Sequence, residues 1–151
     1  MSSSPIDIVK VFYGTFSLMG ASKAGNYLAE DFRLVGFAQG PMDKDAWIGF
    51  LSVLKAAIPD LKIRLTDVSE SGDQVRFTEM GVGTHRLPLD LSLLGLPVIP
   101  ADGEPVTLPT LEWVHTVADG KITLAEQVSA SPATGLAEML AALGAQPALT
   151  E

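Results

Sequence analysis

The segment from residue 74 to residue 116 constrains the fold more than any other part of the chain. It begins with a loosely alternating stretch that ends at His85, continues through a long loop over residues 86–105, and returns to alternation at Val106. A period of two predicts a strand on each side of the loop. The loop carries a series of aliphatic side chains: Leu87, Leu89, Leu91, Leu93, Leu94, Leu96, Val98 and Ile99. A loop this apolar is unsuited to solvent, so we predict that it closes an apolar pocket whose walls are formed by the rest of the chain.

The charge balance excludes polyanionic partners. Eighteen Asp and Glu residues against ten Lys and Arg give a net charge of −8, whereas nucleic acids and anionic membranes require a basic surface. The apolar stretches are too short to span a bilayer and the N-terminus lacks a secretory signal, so we predict a cytoplasmic protein. A chain of 151 residues without cysteine is long enough to bury a core without disulfides. We therefore predict a single domain over residues 1–151, with residues 145–151 as a flexible tail.

Helical and strand periodicities occupy different parts of the chain. The predicted helices begin after caps at Ser4, Ser22, Asp43 and either Ser131 or Thr134, and they end at Gly20, Leu28, Pro59 and Gly144. The predicted strands cover residues 32–37, 62–70, 74–85, 106–117 and 121–130, with a turn at residues 30–31 before the first and hairpin turns at 71–73 and 119–120. Helices gathered on one face of a curved antiparallel sheet make an α+β fold, which is the fold class we predict.

Five short motifs follow one another along the chain. They are Ala57-Ile58-Pro59-Asp60-Leu61, Gly83-Thr84-His85, Leu94-Gly95-Leu96-Pro97, Asp102-Gly103-Glu104-Pro105-Val106 and Asp119-Gly120-Lys121-Ile122. In this order the motifs resemble the SnoaL-like polyketide (ester) cyclases of the nuclear transport factor 2-like superfamily. The resemblance implies a cone-shaped, cystatin-like sheet wrapped around a long helix, with a pocket at its wide end. It also implies a homodimer formed across the outer face of the sheet.

In the cyclases that the chain resembles, an Asp on the last strand is the general acid/base of an intramolecular aldol closure. Residues 122–131 of this chain contain no Asp, and Glu126 is the acid that they offer instead. If Ile122, Leu124 and Val128 face the pocket, the alternation of a strand places Glu126 on the same face. An apolar cavity raises the pKa of a carboxyl, which suits a general acid or base. The alternative is a slipped register that leaves Glu126 in water or paired with a cation.

Two histidines and a tyrosine are further catalytic candidates. His115 shares a strand face with Trp113, so it could polarise a carbonyl or be a core histidine with one hydrogen bond. His85 lies where the apolar loop begins and matches the Thr-His of the family. Its alternative role is structural: a residue at a strand end can simply shape the bend into the loop. Tyr13 faces inward on the first helix; it could donate to a bound carbonyl, as in related isomerases, or reach a backbone acceptor from the core.

A second set of residues is expected to contact the ligand. Trp47, Phe77 and Trp113 could line a site for a flat apolar ligand or pack as plain core, and Leu94 and Leu96 extend that site from the loop.

Glu79 is a second candidate acid, provided that the glycines nearby do not introduce a bulge that turns it away from the face of Phe77. Two histidines far apart in the sequence do not make a metal site, and no dinucleotide or phosphate loop is present, so no metal or cofactor is predicted.

These residues together predict a cofactor-independent enzyme, cyclase-like or ketosteroid-isomerase-like, that moves a proton on an apolar, carbonyl-bearing small molecule. The alternative is a non-catalytic module of the same fold that binds a hydrophobic ligand or dimerises.

Overall fold

The curved sheet that organises this protein is built from seven strands within residues 4–38, 40–92 and 98–128, the parts that this computed structural model describes. The helices are α1 (Pro5–Met19), α2 (Ala21–Ala24) and α3 (Lys44–Ala57), with a 3-10 turn at Gly25–Tyr27. The strands are β1 (Leu28–Val35), β2 (Met42–Asp43), β3 (Lys62–Ser71), β4 (Gln74–Thr84), β5 (Pro105–Thr107), β6 (Leu111–Ala118) and β7 (Lys121–Val128). The predicted closing helix and C-terminal tail lie outside the described residues.

The two long helices begin at the predicted caps. The hydroxyl of Ser4 accepts a hydrogen bond from the backbone N–H of Asp7 at 3.3 Å, and Asp43 Oδ1 accepts from the N–H of Ala46 at 2.9 Å. Each cap satisfies a backbone donor that has no partner inside its helix. The inward faces of α1 and α3 are made of large apolar residues: Ile8, Val9, Phe12, Tyr13 and Phe16 on α1, and Trp47, Phe50, Leu51 and Leu54 on α3. These faces form the core against the concave side of the sheet.

The strand order is β2-β1-β7-β6-β4-β3, with β5 paired to β4. Every pair is antiparallel except β1 and β7, which run parallel, so the sheet is mixed rather than purely antiparallel. The predicted α+β fold with a curved sheet around helices is confirmed. The parallel pair arises because α3 and the meander that follows return the chain to the sheet beside β1, in the same direction.

Two predicted strand boundaries are wrong. The expected turn at residues 30–31 is part of β1, because the reversal takes place earlier, in the 3-10 turn. The expected continuous strand over residues 106–117 is divided into β5 and β6. Pro109 has no N–H to give to a ladder, and Leu108 turns inward, where its own N–H bonds to the carbonyl of Gly81 at 2.8 Å.

The apolar loop is partly packed. Leu89 and Ile99 exchange a pair of backbone hydrogen bonds of 2.8 and 2.9 Å, and both side chains are buried with that of Leu91. Leu87 and Val98 are about half exposed. The three buried side chains therefore join the main core beside the end of β4. Leu94 and Leu96 lie outside the described residues.

No helix in the described part of the chain is long and apolar enough to cross a membrane. The homodimer, the cytoplasmic location and the single domain stay predictions.

Gly83 lies where β4 passes closest to the end of α3. A Cβ atom at this position would lie 2.3 Å from Cγ2 of the buried Ile58 and 3.2 Å from the Cα of Leu61. Neither atom belongs to the free end of a long side chain, so the clash can be relieved only by moving the backbone.

We therefore expect Gly83→Ala to lower the free energy of unfolding by about 1–3 kcal/mol in urea denaturation. Gly14→Ala is the matched control, because Gly14 is exposed in the middle of α1 and nothing lies within 4 Å of the position that an alanine methyl group would take there. This control should gain about 0.5–1 kcal/mol from helix propensity. Equal changes in the two variants would contradict the close approach at Gly83.

Candidate active site

Helix α1 and strands β4 and β6 bring four polar side chains together inside the cone. The β4–β6 register pairs Phe77 with Trp113 and Val75 with His115, so the inward residues of the two strands lie side by side. Glu79 follows on the same face of β4, because the alternation of buried residues runs unbroken from Val75 through Gly81. The bulge that the glycines of β4 suggested is absent before Glu79, and this carboxyl points into the interior with Phe77.

Glu79 carries the most strongly perturbed carboxyl in the described part of the chain. Burial disfavours its charged form and raises its pKa to about 7, and the nearby Tyr13 hydroxyl and Trp113 indole N–H offset part of that rise. Glu79 Oε1 and Trp113 Nε1 nevertheless have no hydrogen-bond partner among the described residues. At neutral pH the carboxyl is thus populated in both its acid and its base form, and Oε1 is available for a further hydrogen bond.

Tyr13 and His115 form a buried hydrogen-bonded pair beside this carboxyl. The Tyr13 hydroxyl lies 2.9 Å from His115 Nε2. Burial, and then the charge of Glu79, raises the pKa of Tyr13 well above its usual value, whereas burial lowers the pKa of His115 to about 3. Both rings are therefore uncharged at neutral pH. The neutral imidazole either accepts a hydrogen bond from the phenol at Nε2, with its own proton on Nδ1, or donates one from Nε2 to the phenol oxygen.

The cavity at Glu79 is apolar and narrow. It is lined by residues of both long helices and of the sheet: Tyr13, Phe16, Trp47, Phe50, Leu51, Leu54, Ile63, Glu79 and Leu108. The free space in this conformation is enough for roughly one water molecule. A larger ligand must displace some of these side chains, and no described residue of the apolar loop lines this cavity.

The predicted orientation of Glu126 is wrong, and the cause is a β-bulge. Val117 of β6 pairs with Ile122, but Thr116 pairs with Leu124, so Thr123 is an extra residue in β7. One extra residue moves every later side chain to the opposite face. Glu126 consequently pairs with Val114 on the outer face, away from the cavity.

The same bulge turns Gln127 inward, a residue that the sequence analysis missed. Gln127 lies opposite Trp113, is 8% exposed, and its Oε1 has no hydrogen-bond partner in the described residues. Testing both possible faces of the last strand would have found it, because the two faces offer Glu126 and Gln127 respectively.

The remaining predicted residues fall into two groups. Trp47 lines the cavity, and Phe77 and Trp113 pack around the Tyr13–His115 pair, with Phe77 and Trp113 ring centroids 4.8 and 5.6 Å from that of His115. His85 is buried at the end of β4, apart from this cavity, and its backbone N–H bonds to the carbonyl of Glu104 at 3.1 Å. Among residues 4–38, 40–92 and 98–128, no group of three or more metal-ligating side chains comes together.

Several solved structures share this fold. AclR, a candidate hydroxylase from Streptomyces galilaeus, superposes with a TM-score of 0.72 at 15% identity over 95% of this chain and 97% of its own. IdmH, a candidate polyketide cyclase from Streptomyces antibioticus, gives 0.67 at 25% identity over 95% and 100%. A protein with a ketosteroid isomerase-like fold from Catenulispora acidiphila gives 0.64 at 17% identity over 99% and 100%. No curated protein matches the sequence.

The sequence profile of the SnoaL-like domain matches residues 9–125, which include Tyr13, Glu79, Trp113 and His115. This match and the shared fold confirm the resemblance drawn from the short motifs: the chain belongs to the SnoaL-like family of the nuclear transport factor 2-like superfamily.

Proposed function

We propose that this protein is an enzyme that moves a proton on an apolar, carbonyl-bearing small molecule, with Glu79 as its general acid/base. The observation that carries the proposal is a buried carboxyl with a pKa of about 7 at the wall of an apolar cavity. A pKa near the working pH keeps both the acid and the base form populated, which is the condition for efficient proton transfer.

The similarity to IdmH, a candidate polyketide cyclase, supports a cyclase-like reaction. In such a step the Glu79 carboxylate removes a proton from the carbon next to a carbonyl, and the electron pair of that C–H bond moves to form an enolate. The enolate carbon then attacks a second carbonyl carbon of the same molecule, forming a C–C bond. The resulting alkoxide takes the proton back from Glu79, which returns to its starting form.

The neighbouring donors suit the developing oxyanion. The Trp113 indole N–H is buried, faces Glu79 and has no partner among the described residues, so it is available to a substrate oxygen. In the tautomer that carries its proton on Nε2, His115 donates to the Tyr13 oxygen, and the Tyr13 hydroxyl, which its raised pKa keeps protonated, is free to donate to a substrate oxygen. A preorganised donor in a dry site stabilises developing negative charge far more than the same donor in water.

The narrowness of the cavity favours a second candidate function. An interior with room for about one water also suits a non-catalytic module of the same fold that dimerises or binds a small hydrophobic ligand. The two functions differ in one respect: only the enzyme requires the Glu79 carboxyl to exchange protons with carbon.

The direct test is proton exchange on a simple ketone. We expect the wild-type protein to accelerate deuterium incorporation next to the carbonyl of 2-tetralone in D₂O, measured by NMR, and Glu79→Gln to slow the exchange by roughly 100-fold or more. Glu126→Gln is the matched control, since it makes the same change on the outer face of the sheet and should leave the rate unaltered.

A wild-type protein that binds the ketone without accelerating exchange would favour the non-catalytic module. Equal losses in both variants would instead show that the effect does not depend on the buried carboxyl.

The stability of Glu79→Gln should depend on pH in a defined way. The wild-type folded protein keeps a proton on Glu79 up to a pKa of about 7, whereas the unfolded chain releases it near the ordinary value of 4.5. The wild type therefore loses stability as pH rises between these values, and the variant does not. We expect the variant to gain about 3 kcal/mol relative to the wild type from about pH 4 to about pH 8, with the gain levelling off above that range, in urea unfolding.

His115 has the opposite linkage, because its folded pKa of about 3 lies below the ordinary 6.5. Its contribution rises with pH over nearly the same range but is present in both proteins, so it cancels in their difference. A difference that stays constant with pH would mean that Glu79 titrates as an ordinary carboxyl.

A further inference from the structure

The inner face of the last strand carries a polar side chain that the proton-transfer scheme does not use. Gln127 is more than nine-tenths buried, and its Oε1 has no hydrogen-bond partner in the described part of the chain. It lies directly opposite Trp113 in the β6–β7 ladder, whose indole faces Glu79 on the other side. Buried amide groups in folded proteins are nearly always hydrogen-bonded, so an unpaired one indicates an absent partner.

The backbone at this position is held in place by its neighbours. Gly36 approaches so closely that a Cβ atom there would lie 2.7 Å from the carbonyl oxygen of Gln127, and its φ of +84° is one that glycine adopts freely. The ladder to Trp113 fixes the other edge of β7. Because β7 also pairs with β1 as far as Val35 and Glu126, the strand is held on both edges next to Gln127, and the sheet keeps this side chain on its inner face.

We propose that Gln127 forms a hydroxyl-binding subsite, which selects ligands that carry a hydroxyl group on the side remote from the reacting carbonyl; this rests on the proposed function of Glu79. A hydroxyl both donates and accepts, so it satisfies either orientation of the amide. Glutamine does not ionise, so its role is to position the ligand.

The sheet geometry sets the size of the ligand. Glu79 on β4 and Gln127 on β7 are separated by β6, and they lie one inward position apart along the ladder. Two interstrand spacings of about 4.8 Å and a two-residue offset of about 6.7 Å along the strands place their backbone positions roughly 12 Å apart. A ligand that engages both must therefore be at least bicyclic, with its carbonyl near Glu79 and its hydroxyl across the ring system.

The matched probes are 2-tetralone and 6-hydroxy-2-tetralone, which differ only in a hydroxyl remote from the ketone. Calorimetric titration should show that the wild type binds the hydroxylated ketone about tenfold more tightly, the value of one net hydrogen bond. Gln127→Met, of similar length without the amide, should reduce the ratio to about one and leave the affinity for 2-tetralone within a factor of about two. Gln127→Leu serves if the methionine variant does not fold.

Glu79→Gln separates the two proposals. It should abolish deuterium exchange and keep the tenfold binding preference, whereas Gln127→Met should abolish the preference and keep exchange on 2-tetralone. Loss of affinity for both ketones alike in Gln127→Met would indicate a structural role and overturn the subsite. A wild type with no preference, or with no binding of either ketone at millimolar concentration, would overturn it as well. A preference without exchange would leave the subsite standing and the acid/base role refuted.

Discussion

The buried hydrogen bond between Tyr13 and His115 is the constraint on which the interior depends. It joins the first helix to the sixth strand across 102 residues of sequence. Because both rings are out of water, the tyrosine is held protonated and the histidine is held neutral. A charged imidazole here would hold Glu79 ionised at neutral pH, since an opposite charge lowers the pKa of a carboxyl. With this pair neutral, burial is the main influence on the pKa of Glu79, and the Tyr13 hydroxyl and the Trp113 indole N–H offset part of it.

The position of one extra residue decides which side chains reach that interior. Thr123 is accommodated in β7 without a partner on β6, and the two residues after Leu124 that face inward are Ala125 and Gln127. The bulge thus places an amide, in place of an acid, on the inner face of β7. The acid is supplied instead by Glu79 on β4, two strands away across the sheet, so in this chain the ionisable and the neutral polar groups lie on different strands.

Much of the architecture could be predicted from the sequence, because caps and periodicity are local signals. Ser4 and Asp43 fixed the starts of the long helices, and the alternation of β4 placed Glu79 on the inner face. The bulge could not be predicted, since a threonine between apolar residues is also what a regular strand contains. After such an insertion, the face of the sheet that each side chain takes depends on how the strand pairs with its neighbour, and this pairing is set by tertiary structure. That is why Glu126 was assigned to the wrong face and Gln127 was missed.

The interior combines tight packing with unpaired polar atoms, and these two properties need a common explanation. Five buried side-chain atoms lack partners among the described residues: Glu79 Oε1, His85 Nε2, Trp113 Nε1, His115 Nδ1 and Gln127 Oε1. Each unpaired group costs about 1–3 kcal/mol, so a sequence selected for stability alone would replace them with apolar side chains. Four of the five lie on the inner faces of three adjacent strands, and one of them, Glu79, lines the cavity, whose other walls are mostly aromatic and aliphatic. Buried polar groups without partners are expected where a protein binds a ligand, because the ligand supplies the missing hydrogen bonds. Here the unpaired groups are ones that a carbonyl and a hydroxyl can satisfy.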